Sequence, residues 1–178
     1  MHRTIFLAAA ASMALAACAA NDTAMGGAAG MSADMTPEER TAYVQMAASS
    51  DMYEIQSSQI ALTKAQNPAI RSFAQMMVTD HTNTTQQLMA AAQAAGLPPM
   101  SPQMLPMHAR MVAELQSASA GSSFDRLYAT QQRLAHQQAL ALHSNYASRG
   151  DTPALRTVAS TATPIVRGHL EMVQRWPR

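Results

Sequence analysis

"NPAIRSFAQMMVTDHTNTTQQLMAAAQAAGLPP", residues 67–99, is the stretch whose reading decides the fold. Asn67-Pro68 is a helix-opening signal, a capping side chain followed by a proline that needs no amide partner in the first turn. Gly96 with Pro98 and Pro99 is a stop signal. From 69 to 95 the residues are mostly Ala, Met, Leu and Gln, good helix formers. At 100° per residue Ile70, Ala74, Leu88 and Ala92 lie within about 20° of His81. The segment therefore reads as one long helix with a histidine in the middle of its apolar stripe. Asp80 stands about 100° away, at the edge of that stripe.

The same composition extends in both directions, and strand signals are nearly absent because aromatic and β-branched residues are sparse. Thr36-Pro37-Glu38-Glu39 supplies a cap, a proline and first-turn carboxylates for a helix running to 65. After "GLPP" comes a Pro- and Met-rich connection with a shorter helix, 102–118. "AGSS" introduces a helix over 122–148. "RGDTP" ends it with Gly150 and starts another at Pro153, running to 176. The Arg-Gly-Asp triplet is thus read as a turn between helices and not as an adhesion motif. Two short turns make two antiparallel pairs, and the long connection between them crosses the bundle. The expected fold is all-α, a ferritin-like four-helix bundle with one crossover connection containing a short helix.

Each long helix carries a polar residue on its inward stripe. Glu54 aligns with Tyr43, Ala47, Ser50, Ser58, Ala61 and Ala65; His136 shares a face with Asp125, Ala129, Gln132, Leu140 and His143; His169 is centred among Val158, Ala162, Ile165, Val173 and Trp176. Counting from the turns at about 1.5 Å per residue puts Glu54 and His81 at similar height. The same count leaves His136 and His169 offset by up to about two turns, an offset that Pro164 inside the last helix can alter.

Three readings of this layer stand side by side. Imidazole and carboxylate on facing helices are how metal centres in bundle cores are built. Glu54, His81, His136 and His169 offer one oxygen and three nitrogens, suited to zinc, copper or mononuclear iron, with Asp80, Asp125, Tyr128 and His143 as outer partners. The second reading is a buried hydrogen-bond network of neutral histidines satisfied by Glu54, Asp80, Gln132, Tyr43 or Tyr128, which is costly if left half-satisfied. The third is an acid–base site. No complete di-iron motif is present, since Val78 and Val166 stand three residues before His81 and His169 where such a motif places glutamate. No nucleophile motif is evident either, so binding is expected ahead of catalysis. Met100, Met104, Met107 and Met111 with His108 form a second candidate, a thioether face suited to Cu(I). The alternative for that face is adaptable core filling, and Pro106 interrupts the alignment.

The beginning of the sequence speaks to location. "MHRTIFLAAAASMALAAC" has a basic start, a short apolar run and small residues before Cys18, the single cysteine. This is a signal peptide over 1–17, and Leu15-Ala16-Ala17-Cys18 has the form of a lipobox whose cysteine becomes acylated. The other reading is an ordinary signal peptide cut nearby. Ala19, which is not Asp, favours the outer membrane facing the periplasm. Residues 18–35 form a flexible tether with a reach on the order of 20 Å, and 36–178 are the bundle domain. Once Arg3 leaves with the signal, eleven of the twelve basic residues balance the eleven acidic ones. No basic stripe remains for nucleic acid, and the membrane is met through the lipid anchor. With one cysteine there is no internal disulfide, so stability comes from packing.

"YEI" around Glu54, "FAQMMVTDH" with Phe73, Asp80 and His81, "FDRLY" with Phe124, Asp125 and Tyr128, then His136 and the later Pro164, His169 and Leu170 together resemble the bacterial domain of unknown function 4142. The resemblance spans about 40–175 and implies an exported, ferritin-like helical bundle with no established reaction. It places the family's motif positions at Glu54, Asp80, His81, Asp125, Tyr128, His136 and His169, whereas His143 stands where an aromatic is more usual. Two functions are thus expected to compete: an envelope lipoprotein binding a transition metal through its Glu/His layer, and a structural or partner-binding envelope module whose buried polar layer is only structural.

Overall fold

The computed structural model describes residues 37–176, so the signal segment, Cys18, the tether and Thr36 lie outside the described residues. Five helices follow one another: α1 (Arg40–Lys64), α2 (Pro68–Ala94), α3 (Pro106–Ser117), α4 (Ser122–Arg149) and α5 (Pro153–Gln174), with no strand among the described residues. α1 packs on α2 and α4, and α5 on α2 and α4, so the four long helices close a ring with α1 opposite α5.

The crossover is visible in which ends meet. Arg40 at the start of α1 donates its side chain to the carbonyl of Ala95 just after α2, and its amide to Asp151 in the α4–α5 turn. At the far end Gly121, ahead of α4, donates its amide to the carbonyl of Lys64. α2 therefore finishes at one end of the bundle and α4 begins at the other, and α3 spans the difference along the α1 side.

Two boundaries differ from the sequence reading. α1 is capped by Glu39, whose carboxylate accepts the amides of Thr41 and Ala42 at 2.8 Å each, which leaves Pro37 and Glu38 ahead of the helix. α3 begins at Pro106 and not near 102, because proline at the first helical position loses no hydrogen bond there. Immediately before it, the Leu105 amide is held by the Ser49 hydroxyl at 2.8 Å.

The interior holds an apolar core toward each end with a polar layer between them, and a third apolar cluster of Tyr53, Met111, Val112 and Ala135 joins α3 to α1 and α4. At the Asp151 end Tyr43, Val44, Leu88, Leu142, Tyr146 and Leu155 pack together. At the other end Phe73, Met77, Leu115, Phe124, Tyr128 and Val173 do the same. Fully burying such side chains contributes about 1.5–3 kcal/mol each. α1 carries serines at 49, 50, 57 and 58, all buried. Small side chains there let neighbouring helices come close and leave room for longer polar groups from them. No described helix is long and apolar enough to cross a membrane.

Candidate metal centre

His81 on α2, His136 on α4 and His169 on α5 meet in this middle layer. Their ring centroids are 6.0, 5.8 and 5.5 Å apart, and all three are buried. The offset counted for His136 and His169 closes for a geometric reason. His136 is thirteen residues before the end of α4 and His169 sixteen after the start of α5, a difference of about 4.5 Å. Side chains tilt toward their own helix N-terminus, so on antiparallel helices these two lean toward each other. α5 continues through Pro164.

Each imidazole is anchored by one nitrogen. His81 Nδ1 donates to Asp51 Oδ1 at 2.7 Å, His136 Nδ1 to the carbonyl of Gln132 at 2.9 Å, and His169 Nε2 to Asp80 Oδ2 at 3.1 Å. Because a carboxylate and a carbonyl only accept, these bonds fix the proton on the anchored nitrogen. In the neutral rings, the opposite nitrogens are then bare lone pairs. His81 Nε2, His136 Nε2 and His169 Nδ1 are buried with no hydrogen-bond partner. One ring nitrogen from each histidine can be chosen so that all lie within 4.8 Å of one another. Three nitrogens at about 2.1 Å from one ion sit about 3.5 Å apart, so closure of roughly 1.3 Å or less forms a ligand set.

Burial lowers the basicity of His136 to a pKa of about 3, with the charges of His81 and His169 acting in the same direction. His169 is held at about 4, by burial first and then by His81. His81 differs: burial pulls it down, but the bond and charge of Asp51, with the charges of Glu54 and Asp80, outweigh burial and raise its pKa. Two rings are thus neutral donors, and the third is made more basic by its carboxylate. An imidazole oriented by a carboxylate or carbonyl is the usual arrangement of a metal-binding histidine.

Asp51 is the residue of this cluster's surroundings that sequence reasoning missed. Its two oxygens also accept Thr84 Oγ1 at 3.1 Å and Thr85 Oγ1 at 3.0 Å, which ties α1 to α2. The signals were present: Asp51 stands one turn before Glu54, and Thr84-Thr85 one turn after His81. Glu54 is placed beside the cluster, with Oε1 3.5 Å from His136 Nδ1, the anchored side of that ring. Its Oε2 is buried without a partner, and burial raises its pKa to about 7. Asp80 orients His169 from the rim, its side chain 35% exposed.

The remaining sequence candidates lie elsewhere. Asp125 accepts the amides of Gln66 and Asn67 at 3.1 and 3.0 Å, closing the α1–α2 turn. Tyr128 pairs with the Ser58 hydroxyl at 2.8 Å and stacks between Phe124 and Trp176. His143 meets Tyr43 Oη at 3.0 Å beside the first apolar core. The methionine face divides: Met100 packs on that core, whereas Met104, Met107 and Met111 join Tyr53 and Ala135. His108 is turned to Ser49 at 2.7 Å and stacks on Tyr53.

Fold and cluster together define a helical protein with a buried three-histidine group able to hold a metal ion. The chain belongs to the DUF4142 family, a domain of unknown function whose pattern matches residues 7–176. Its fold is similar to that of a DUF305 fragment from Deinococcus radiodurans, with a TM-score of 0.65 and 22% identity over 78% of this chain and 94% of that one. It is also similar to CopM in a Cu(II)-bound form, with a TM-score of 0.64 and 19% identity over 78% and 95% of the two chains. A silver-bound form of CopM gives a TM-score of 0.64 and 18% identity over 78% and 94%. Comparison with curated proteins gives no match.

Proposed function

We propose that this protein is an envelope lipoprotein whose ferritin-like bundle binds a transition metal through His81, His136 and His169. The observation that carries this reading is the set of three buried imidazole nitrogens without partners, each opposite a nitrogen that is anchored. A purely structural layer has reason to satisfy both nitrogens of a buried ring, because each buried polar atom left alone costs about 1–3 kcal/mol. One metal ion satisfies all three.

Imidazole donors suit zinc, copper and iron, and the likeness of the fold to a protein bound to Cu(II) and to silver puts copper first. Three imidazoles, with His81 giving up its second proton as the metal binds, leave further coordination positions on such an ion. Lipidation at Cys18 and the tether place the bundle at a membrane surface, with the outer membrane facing the periplasm as its address.

The test is metal analysis of protein purified without a histidine tag, with melting curves before and after addition of copper or zinc. The expected result is close to one equivalent of metal and a rise in Tm that His136→Phe abolishes. Less than about 0.1 equivalent with no thermal shift favours the competing reading, a structural or partner-binding module in which the layer sets helix register. That reading has its own support in the Asp51 bridge from α1 to His81, Thr84 and Thr85. It requires His81→Ala and His136→Ala to lower stability equally with and without metal.

A further inference from the structure

Resting on the metal reading, the geometry points to a loading port for a soft monovalent cation, Cu(I) or Ag(I), in the groove between α2 and α5, with Met76 and Met172 as its thioether ligands. The groove holds about 420 Å³ and is lined by Phe73 and Met76 from α2 and by Met172, Arg175 and Trp176 from the α5 side. Its floor is the wall of the histidine cluster. Phe73 is buried and lies 5.9 Å from the ring of His136 and 6.1 Å from that of His169, while Trp176 braces it edge-on at 5.0 Å. One aromatic ring thus separates the groove from two of the three imidazoles.

The two methionines stand at the place where a relay would need them. Met76 is one turn before Asp80 on α2, and Met172 is one turn after His169 on α5, a step of about 5 Å along either helix. The Asp80–His169 bond is also the one carboxylate anchor of the cluster that reaches the surface, since the Asp80 side chain is 35% exposed and that of Asp51 only 7%. Arg175 also lines the groove, and its guanidinium, which repels cations, leaves the recognition of a soft ion to the thioethers rather than to charge.

Thioethers select Cu(I) and related soft ions, whereas imidazole accepts both Cu(I) and Cu(II). The transfer is ligand exchange with no change of oxidation state: sulfur contacts from Met76 and Met172 are replaced by ring nitrogens, His169 first. Met172 is unusually open for its type, at 38% exposure. That exposure has a cost in water and a use at a port.

The experiment compares the wild-type protein with Met76→Leu/Met172→Leu, a pair of swaps that conserve volume, and with Met172→Leu alone, whose exposed site leaves folding intact. Cu(I) is presented on a colorimetric chelator and its transfer followed by stopped-flow absorbance. Cu(II) uptake is followed by quenching of Trp176 fluorescence. The expected result is Cu(I) uptake at least tenfold slower in the double variant, with unchanged equilibrium affinity, Cu(II) rate and Tm. Equal Cu(I) rates in the two proteins overturn the port while leaving the histidine site standing. Equal slowing of Cu(II) also overturns it, because the groove then acts through packing and not through sulfur. Absence of copper uptake by the wild type overturns the site and the port together.

Discussion

Replacing Asp51 by Asn keeps the shape of the side chain and removes the charge that makes His81 the most basic ring of the cluster. Loss of an outer partner of this kind costs tenfold to a hundredfold in metal affinity. Competition titration of Asp51→Asn is expected to show that loss in a folded protein, and unchanged affinity would remove Asp51 from the site. The buried histidines also set a pH dependence. Burial holds His108 and His143 at about 4, as it does His169, and His136 at about 3, whereas an unfolded histidine titrates near 6.5. Between pH 6.5 and about 4 the unfolded chain takes up protons that the folded one refuses, so stability falls with pH, by up to about 1.4 kcal/mol per unit for each ring. His81, with its raised pKa, is protonated in both states at pH 5. Glu54, raised to about 7, acts in the opposite sense, and so does His81, whose stabilisation is complete only below about pH 6.5, so two groups stand against four. The metal-free protein should therefore melt lower at pH 5 than at pH 7, and His108→Gln should shrink the difference. A melting temperature flat across that range would contradict this balance.

Lys64, the one lysine of the chain, decides how the crossover element is held. From the end of α1 its Nζ donates to the carbonyls of Leu115, Gln116 and Ala118, the last carbonyls of α3, where a cation also favours the helix dipole. Lys64→Met should lower stability by about 1–2 kcal/mol, read from the urea midpoint. No shift would mean that α3 stays in place by its apolar face alone. Gly150 shows a tighter constraint: a Cβ there would sit 2.5 Å from the Tyr146 ring, and the same ring stacks on Tyr43 at 3.8 Å. The order and approximate limits of the helices were legible because capping residues, prolines and glycines act locally. The start of α1 was not, since Thr36-Pro37 and Glu39 are both competent caps and the choice depends on contacts made by the α4–α5 turn. Among these, the Asp151 amide bonds to the Glu38 carbonyl.

At the scale of the whole molecule, the proposed anchor predicts that Cys18→Ala moves the protein from the membrane to the soluble fraction without changing its melting curve. Unchanged fractionation would refute the lipobox. The bundle itself places its polar layer between two apolar cores, so each core shields one side of the cluster from water. By itself, the sequence determined the all-α class, the antiparallel pairing, the long connection and the inward face of the helices, except that Ile165, expected inside α5, is 39% exposed while Val166 is buried in its stead. These follow from a 3.6-residue period and from turn chemistry, which depend on neighbours in the chain. Only the tertiary structure decided which inward residues touch. It joined His81, His136 and His169, brought Asp51 to His81, set Glu54 to one side and turned Asp125 to an interhelical turn. Those outcomes depend on relative height and tilt between helices, where a shift of one residue is about 1.5 Å, less than the error of counting from a loop and enough to make or break a hydrogen bond.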